Sequence, residues 1–204
     1  MELMEYNAAA KLIGTYGIKS VESRYVKDAN AAVLFSKGKK IALKAISDKA
    51  LHKSKAGLIR LDLSGKEEIQ DAFNQLSAKA KKFSPYKIIA QKMAGQGIEI
   101  IVGGREDAQF GKLILLGLGG IYVETFKDFA LRVCPINLFD AKQMIAQLKS
   151  RNVITYGGKG EKNLEKLLLK VSKLLVENKM SELDLNPVII REDGYDVVDI
   201  RILK

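Results

Sequence analysis

Cysteine and histidine are almost missing from this sequence: its 204 residues include one of each, Cys134 and His52. One cysteine excludes a disulfide framework and any zinc site built from several thiolates. A lone thiol suits a reducing setting, so a cytoplasmic protein is expected. One histidine excludes metal centres that need several imidazoles. No apolar run is long enough to span a bilayer, so no membrane association is expected. The opening MELMEYNAAAKLIG is acidic at its start and has no charged stretch leading into a cleavable apolar segment, so no secretory signal is expected. Acidic side chains are in deficit, 24 Asp plus Glu against 34 Lys plus Arg, which leaves a net charge of +10. Such a surface attracts anions: nucleic acid, nucleotides, CoA or an acidic partner subunit. The lysines are spread along the chain, with no basic run interleaved with aromatics and no recognised nucleic-acid motif. Nucleic acid is therefore not the expected partner. The 47% of hydrophobic residues suffices for a real core, in one domain or two closely packed subdomains.

The pattern of apolar residues predicts a mixed order of elements. A helix is expected from Tyr6 to Tyr16, closed by Gly17. A short strand follows at Ser23–Val26, and Asp28 can cap a second helix running to Ser36. Ile41–Ile46 and Ile59–Leu63 read as strands. After Gly65, the spacing of Ile69, Phe73, Leu76 and Ala80 predicts an amphipathic helix to about Phe83. Pro85 and Tyr86 break the chain. Three strands are expected at Ile88–Gln91, Ile98–Val102 and Leu113–Leu118, joined by Gly-rich turns. Helices at Phe139–Leu148 and Leu164–Val176 lead to two last strands, Leu183–Ile190 and Val197–Leu203, joined by the turn Glu192-Asp193-Gly194. This order argues for an α+β fold with largely antiparallel pairing rather than a regular βαβ wind. A subdomain boundary is expected near Ser84-Pro85, giving parts 1–84 and 85–204.

Four stretches carry chemistry. Lys44 stands in an otherwise apolar strand, where a buried cation is costly unless it is paired. A phosphate would balance it; an outward position on a half-buried strand would avoid the cost. His52-Lys53-Ser54-Lys55-Ala56-Gly57 is polar and basic and ends in glycine. It suits either a phosphate-handling loop or a solvated basic turn. An imidazole nitrogen in such a loop can attack a phosphoryl group. Gly117-Leu118-Gly119-Gly120 has three glycines in four residues, so a backbone approaches something closely, or turns tightly. It is neither a P-loop nor a complete dinucleotide fingerprint. Downstream, Glu124, Asp128 and Arg132 lie four apart and would share a face if helical. Asp184 and Asn186 alternate along a strand, and Asp199 on the next strand can join them if the hairpin registers suitably. Carboxylate and amide oxygens are the hard ligands that Mg²⁺ takes, alongside water and phosphates.

In this order and spacing, the pieces resemble the ATP-grasp subunit of ADP-forming acetyl-CoA and acyl-CoA synthetases, relatives of the succinyl-CoA synthetase nucleotide-binding subunit. The resemblance runs from Glu5-Tyr6-Asn7-Ala8 and Tyr16-Gly17-Ile18 to Asp199-Ile200-Arg201. It is carried by Leu43-Lys44, Leu51-His52-Lys53-Ser54, Gln109-Phe110-Gly111, Gly117 to Glu124, Arg132-Val133-Cys134-Pro135 and Asp184-Leu185-Asn186-Pro187. It implies an ATP-grasp fold of two α+β subdomains that binds ATP or ADP with Mg²⁺ between them. It also implies a CoA-binding alpha-type partner subunit that forms the acyl phosphate and chooses the acyl group. On the same grounds Lys44 holds nucleotide phosphates, and Gln91, Lys92 and Met93 line the adenine site. Glu99 reaches the ribose, Arg132 joins the nucleotide set, Asn186 and Asp199 hold the metal, and His52 relays the phosphoryl group. The chain departs from the family at four places. Lys55 stands for an Asp, Leu58 for a glycine, Lys92 for a Glu and Lys159 for an Arg. A diverged, non-catalytic nucleotide-binding module is the alternative these departures leave open.

Overall fold

The computed structural model describes residues 2–47, 49, 57–120 and 128–204. In chain order these form α1 (Tyr6–Thr15), β1 (Ser23–Val26), α2 (Ala29–Ser36), β2 (Ile41–Ile46), β3 (Ile59–Leu63) and α3 (Lys66–Ala80). A 3₁₀ turn at Lys81–Phe83 leads to β4 (Lys87–Lys92), β5 (Ile98–Asp107), β6 (Gly111–Leu118) and β7 (Phe129–Val133). The chain ends with α4 (Leu138–Gln147), α5 (Arg151–Ile154), α6 (Glu161–Glu177), β8 (Glu182–Ile190), β9 (Tyr195–Val197) and β10 (Ile200–Leu203). Two compact units result. One is Val21–Met93; the other joins Met1–Ser20 to Ala94–Lys204.

The Val21–Met93 unit is a four-stranded antiparallel sheet in the order β1-β4-β2-β3, covered on one face by α2 and α3. Asp28 starts α2 by accepting the Ala31 N–H at 2.8 Å, which satisfies a donor the helix cannot. Ile69, Ala72, Phe73, Leu76 and Ala80 recur at helical spacing and are all buried. They meet Ile41, Leu43 and Ala45 of β2 and Ile88 and Ala90 of β4. Leu58 completes this core at 0% exposure, and its carbonyl accepts the Ala45 N–H at 2.9 Å.

The second unit is a six-stranded antiparallel sheet in the order β10-β8-β5-β6-β7, with β9 beside β8. The inner stripe of α6, Leu164, Leu167, Leu168, Val171, Leu174 and Leu175, is fully buried. With Ala141, Met144 and Ile145 of α4 it covers the face bearing Ile100, Val102, Ile114, Leu116, Leu183 and Leu185. Full burial of each such side chain stabilises by about 1.5–3 kcal/mol. α1 packs on β10, and Leu3 bridges to Leu203.

The observed division differs from the expected boundary at Ser84-Pro85. β4 pairs with both β1 and β2, so the strand after Pro85 completes the first sheet. The first twenty residues belong with the second unit because α1 docks on the last strand. The expected strand Val197–Leu203 is two strands, interrupted at Val198-Asp199. β7 and α5 were not expected. Arg132 lies in β7, so the helical ladder of Glu124, Asp128 and Arg132 does not form at its last member; Glu124 is outside the described residues. No helix among the described residues is long and apolar enough to cross a membrane.

Candidate nucleotide site

In the Val21–Met93 unit, alternation along β2 sends Ile41, Leu43 and Ala45 into the helix-covered core and Lys44 to the other face. Lys44 is only 4% exposed, so it is a buried cation and not an outward-facing lysine. It lies opposite Ile89 of β4, while Gln91 lies opposite Ala42. Lys44 and Gln91 are therefore diagonal neighbours on one face, roughly 7–8 Å apart. Gln91 is 1% exposed. A lysine and an amide, both buried, thus share a sheet face on which Ser23 stands opposite Gln91.

Lys92 follows at the end of β4. Its backbone N–H donates to the Glu22 carbonyl at 2.9 Å, and its ammonium pairs with the Glu22 carboxylate. That hydrogen bond from Lys92 holds the Glu22 carboxyl below the usual carboxylate range. Lys92 thus has a local acidic partner and points its charge to the β1 side of the sheet. Met93 is half-buried and ends the unit. His52 lies outside the described residues, as do Lys53, Ser54 and Lys55.

In the second unit, β8 takes one more residue than β5 between two paired positions. Ile100 faces Val188, but Val102 faces Leu185. The extra residue falls at Asn186-Pro187, where proline has no N–H to lose from the ladder. This bulge breaks the simple alternation of Asp184 with Asn186. Asp184 lies opposite Gly103 and Arg201 instead. Asn186 is brought to Asp199, its N–H meeting the Asp199 carbonyl at 3.3 Å. Asn186 is exposed and Asp199 half-buried, and the Asp199 carboxylate also accepts the Ile200 N–H at 3.2 Å. That backbone contact makes the two residues neighbours, one bearing an amide oxygen and the other a carboxylate. Among the described residues no group of three or more His, Cys, Asp or Glu side chains is placed to hold a metal. Two hard oxygen donors beside open solvent fit Mg²⁺, which keeps several waters and takes phosphate oxygens.

Glu99, exposed on β5, pairs with Ile189, and its backbone carbonyl accepts the Gly119 N–H at 2.8 Å. Arg132 does not join this set. It stands opposite Ile114, which is fully buried on the helix-covered face, and donates to the Gln147 side chain of α4 at 3.1 Å. Nearby, Asp128 accepts the Lys149 and Ser150 N–H groups, each at 2.8 Å. Burial pushes the Asp128 carboxyl up, but these hydrogen bonds outweigh it and hold the group below its ordinary value. Lys159 pairs with Glu192 at 3.3 Å.

Comparison with known proteins gives this geometry a family. The chain matches the ATP-grasp domain family over residues 2–203. It is 34% identical, over 98% of its length and 91% of the relative's, to the beta subunit of acetate–CoA ligase [ADP-forming] II of Pyrococcus furiosus. Its fold superposes with a TM-score of 0.90, at 34% identity over 99% of this chain and 93% of the other, on dinucleotide-forming acetyl-coenzyme A synthetase 1 of Ca. Korarchaeum cryptofilum with coenzyme A and Ca-AMPCP. A second structure of that protein, with coenzyme A and Mg-AMPPCP, has its phosphohistidine segment pointing towards the nucleotide-binding site; it matches with a TM-score of 0.84 at 33% identity, over 98% and 92% of the two chains. The chain belongs to the ATP-grasp family, among the beta subunits of the ADP-forming acetate–CoA ligases.

Proposed function

We propose that this chain is the nucleotide-binding subunit of an ADP-forming acyl-CoA ligase and that it makes ATP by relaying a phosphoryl group through His52. The supporting observation is the likeness to a ligase beta subunit along 98% of the chain. In the proposed sequence, a CoA-binding partner subunit converts acyl-CoA and phosphate to acyl phosphate and CoA. An imidazole nitrogen of His52 attacks the phosphorus; the bond from phosphorus to the acyl oxygen breaks and the acid leaves as its carboxylate. A terminal oxygen of ADP then attacks the phosphohistidine, the N–P bond breaks, and ATP and free imidazole result. A covalent carrier keeps the phosphoryl group from water between the two reactions.

The chain's own residues supply position and charge. Lys44 neutralises nucleotide phosphates from a face where burial strengthens the attraction. Gln91, Lys92 and Met93 line the adenine site; the Lys92 N–H already donates to the Glu22 carbonyl and is not available to the base. Glu99 accepts hydrogen bonds from the ribose hydroxyls. Asn186 and Asp199 hold Mg²⁺, which when bound offsets charge on the transferring phosphate. The part proposed for Arg132 is to tie β7 to α4, since it faces away from Glu99. Two family departures have local accommodation: Leu58 fills the core, and Lys92 pairs with Glu22.

The test is reconstitution with a CoA-binding subunit, acetyl-CoA, phosphate, ADP and Mg²⁺, following ATP. Formation of ATP that is lost in His52→Ala supports the proposal. Saturable ADP binding with no ATP from any partner would favour the diverged binding module that the departures at Lys55 and Leu58, shortly after His52, leave open.

A further inference from the structure

The Gly119 backbone approaches that of Glu99 more closely than any side chain there would allow, and Gly120 lies close to the Glu99 carboxylate. β5 and β6 pair as far as Ile100 and Leu118. Gly119 extends that pairing by one bond, donating to the Glu99 carbonyl at 2.8 Å. A methyl group on Gly119 would sit 2.8 Å from the Glu99 carbonyl carbon, 2.9 Å from its oxygen and 2.9 Å from the Ile100 nitrogen. Those are backbone atoms of a strand paired on both edges, and they cannot yield as a flexible side chain would. On the other edge, a methyl group on Gly97 would meet the Ile190 carbonyl oxygen at 2.5 Å. Gly120 comes next, with φ +76°, a conformation that disfavours side chains. Its methyl group would lie 3.2 Å from a Glu99 carboxylate oxygen, Oε2. The two glycines thus address one residue twice, Gly119 at its peptide and Gly120 at its carboxylate. Beside them is a cavity of about 490 Å³ whose lining includes Glu99, Gly97, Leu118, Gly119, Gly120 and Val153. Among the described residues of that lining, Glu99 is the one ionisable group.

We infer that Gly119 and Gly120 are positioning residues that aim the Glu99 carboxylate at a nucleotide's ribose hydroxyls and so set the preference for a ribonucleotide. The inference rests on the reading of Glu99 as the ribose acceptor. An aimed carboxylate discriminates by hydrogen bonds that only a hydroxyl-bearing sugar makes. The lost pair would cost about tenfold or more in affinity. A carboxylate displaced by a methyl group loses that discrimination, even where the rest of the nucleotide still binds.

The experiment is calorimetric binding of ADP and of 2′,3′-dideoxy-ADP to the chain assembled with its CoA-binding subunit. Wild type, Glu99→Gln, Gly119→Ala and Gly120→Ala are compared, each checked for an intact melting transition. Wild type is expected to favour ADP about tenfold. Gly119→Ala and Gly120→Ala are expected to bring that ratio towards one by weakening ADP alone. Either glycine variant combined with Glu99→Gln is expected to add no further loss. Equal weakening of both nucleotides would overturn the inference, because a merely structural role leaves the ratio unchanged. A ratio unaltered in Glu99→Gln would sink the ribose reading itself, a failure visible without the glycine variants. If Gly119→Ala does not fold, Gly120→Ala decides the matter through the ADP to dideoxy-ADP ratio, because the backbone strain of an alanine at φ +76° alone would weaken both nucleotides equally.

Discussion

The two units of this molecule divide its charge very unequally. Val21–Met93 carries 16 Lys plus Arg and 7 Asp plus Glu, a net +9; the remaining residues carry 18 and 17, a net +1. Nearly the whole +10 therefore sits on about a third of the chain. That third contains Lys44, Gln91 and, in sequence, His52. No acidic residue occurs from position 72 to position 93, while Lys79, Lys81, Lys82, Lys87 and Lys92 fall there. The near-neutral unit supplies oxygen instead: Glu99, Asn186 and Asp199. The contrast suits the proposed reaction, in which phosphate, acyl phosphate and nucleotides are anions. A basic unit of that charge attracts such anions. The difference teaches that net charge, taken over the whole chain, conceals where the anion-handling surface is.

The sharpest way to break this comparison is to remove one key residue from each side. Lys44→Ala is expected to weaken ADP binding most, by about 2–5 kcal/mol, because it removes one member of a desolvated charge pair. Asp199→Asn is expected to raise the Mg²⁺ requirement for ATP formation while leaving metal-free ADP binding nearly unchanged. Titrating Mg²⁺ against both variants separates the two roles; identical behaviour would merge them.

The packing of each unit gives a second contrast. Leu76→Ala opens a cavity in the basic unit and is expected to cost about 2–5 kcal/mol there. Hydrogen exchange should rise in β2 and β4 and stay unchanged in β5 and β8. Equal protection loss in both would mean that the units unfold together. Asp128→Asn, in the neutral unit, is expected to cost about 1–2 kcal/mol by weakening the bonds to Lys149 and Ser150. Because its folded pKa is depressed, the stability Asp128 contributes is present above the ordinary carboxylate value of about 3.9 and is lost as pH falls below it. Denaturation midpoints measured from pH 7 down to pH 3 should show wild type and Asp128→Asn converging only at the acid end. The smallest effect is expected at Lys92→Ala, less than about 1 kcal/mol, since both partners of its pair with Glu22 are substantially exposed.

Much of this was legible in the sequence where the signal is local. Asp28 capping α2 and the spacing of Ile69 to Ala80 are fixed by neighbours a few residues away, and both appear as expected. The unit boundary was not legible, because β4 chooses β1 and β2 as partners across long separations and a proline beside it looks like a break. β7 was missed because Glu124, Asp128 and Arg132 match a helical spacing that pairing with β6 overrides. The same alternation turns Arg132 to the helix-covered face, away from Glu99. Asn186 and Asp199 were read as partners, but the bulge that separates them from Asp184 shows only in the register. The glycines at 119 and 120 announced a close approach; that the thing approached is Glu99, twenty residues earlier, depends on how β5 and β6 pair.

The central claim is that His52 carries a phosphoryl group. The most direct measurement is to incubate the chain and its CoA-binding subunit with acetyl-CoA and radiolabelled phosphate, without ADP, and to locate the label. The account predicts an acid-labile phosphohistidine on this chain that is discharged to ATP when ADP is added and is absent from His52→Ala. ATP formation at an undiminished rate in His52→Ala would contradict it.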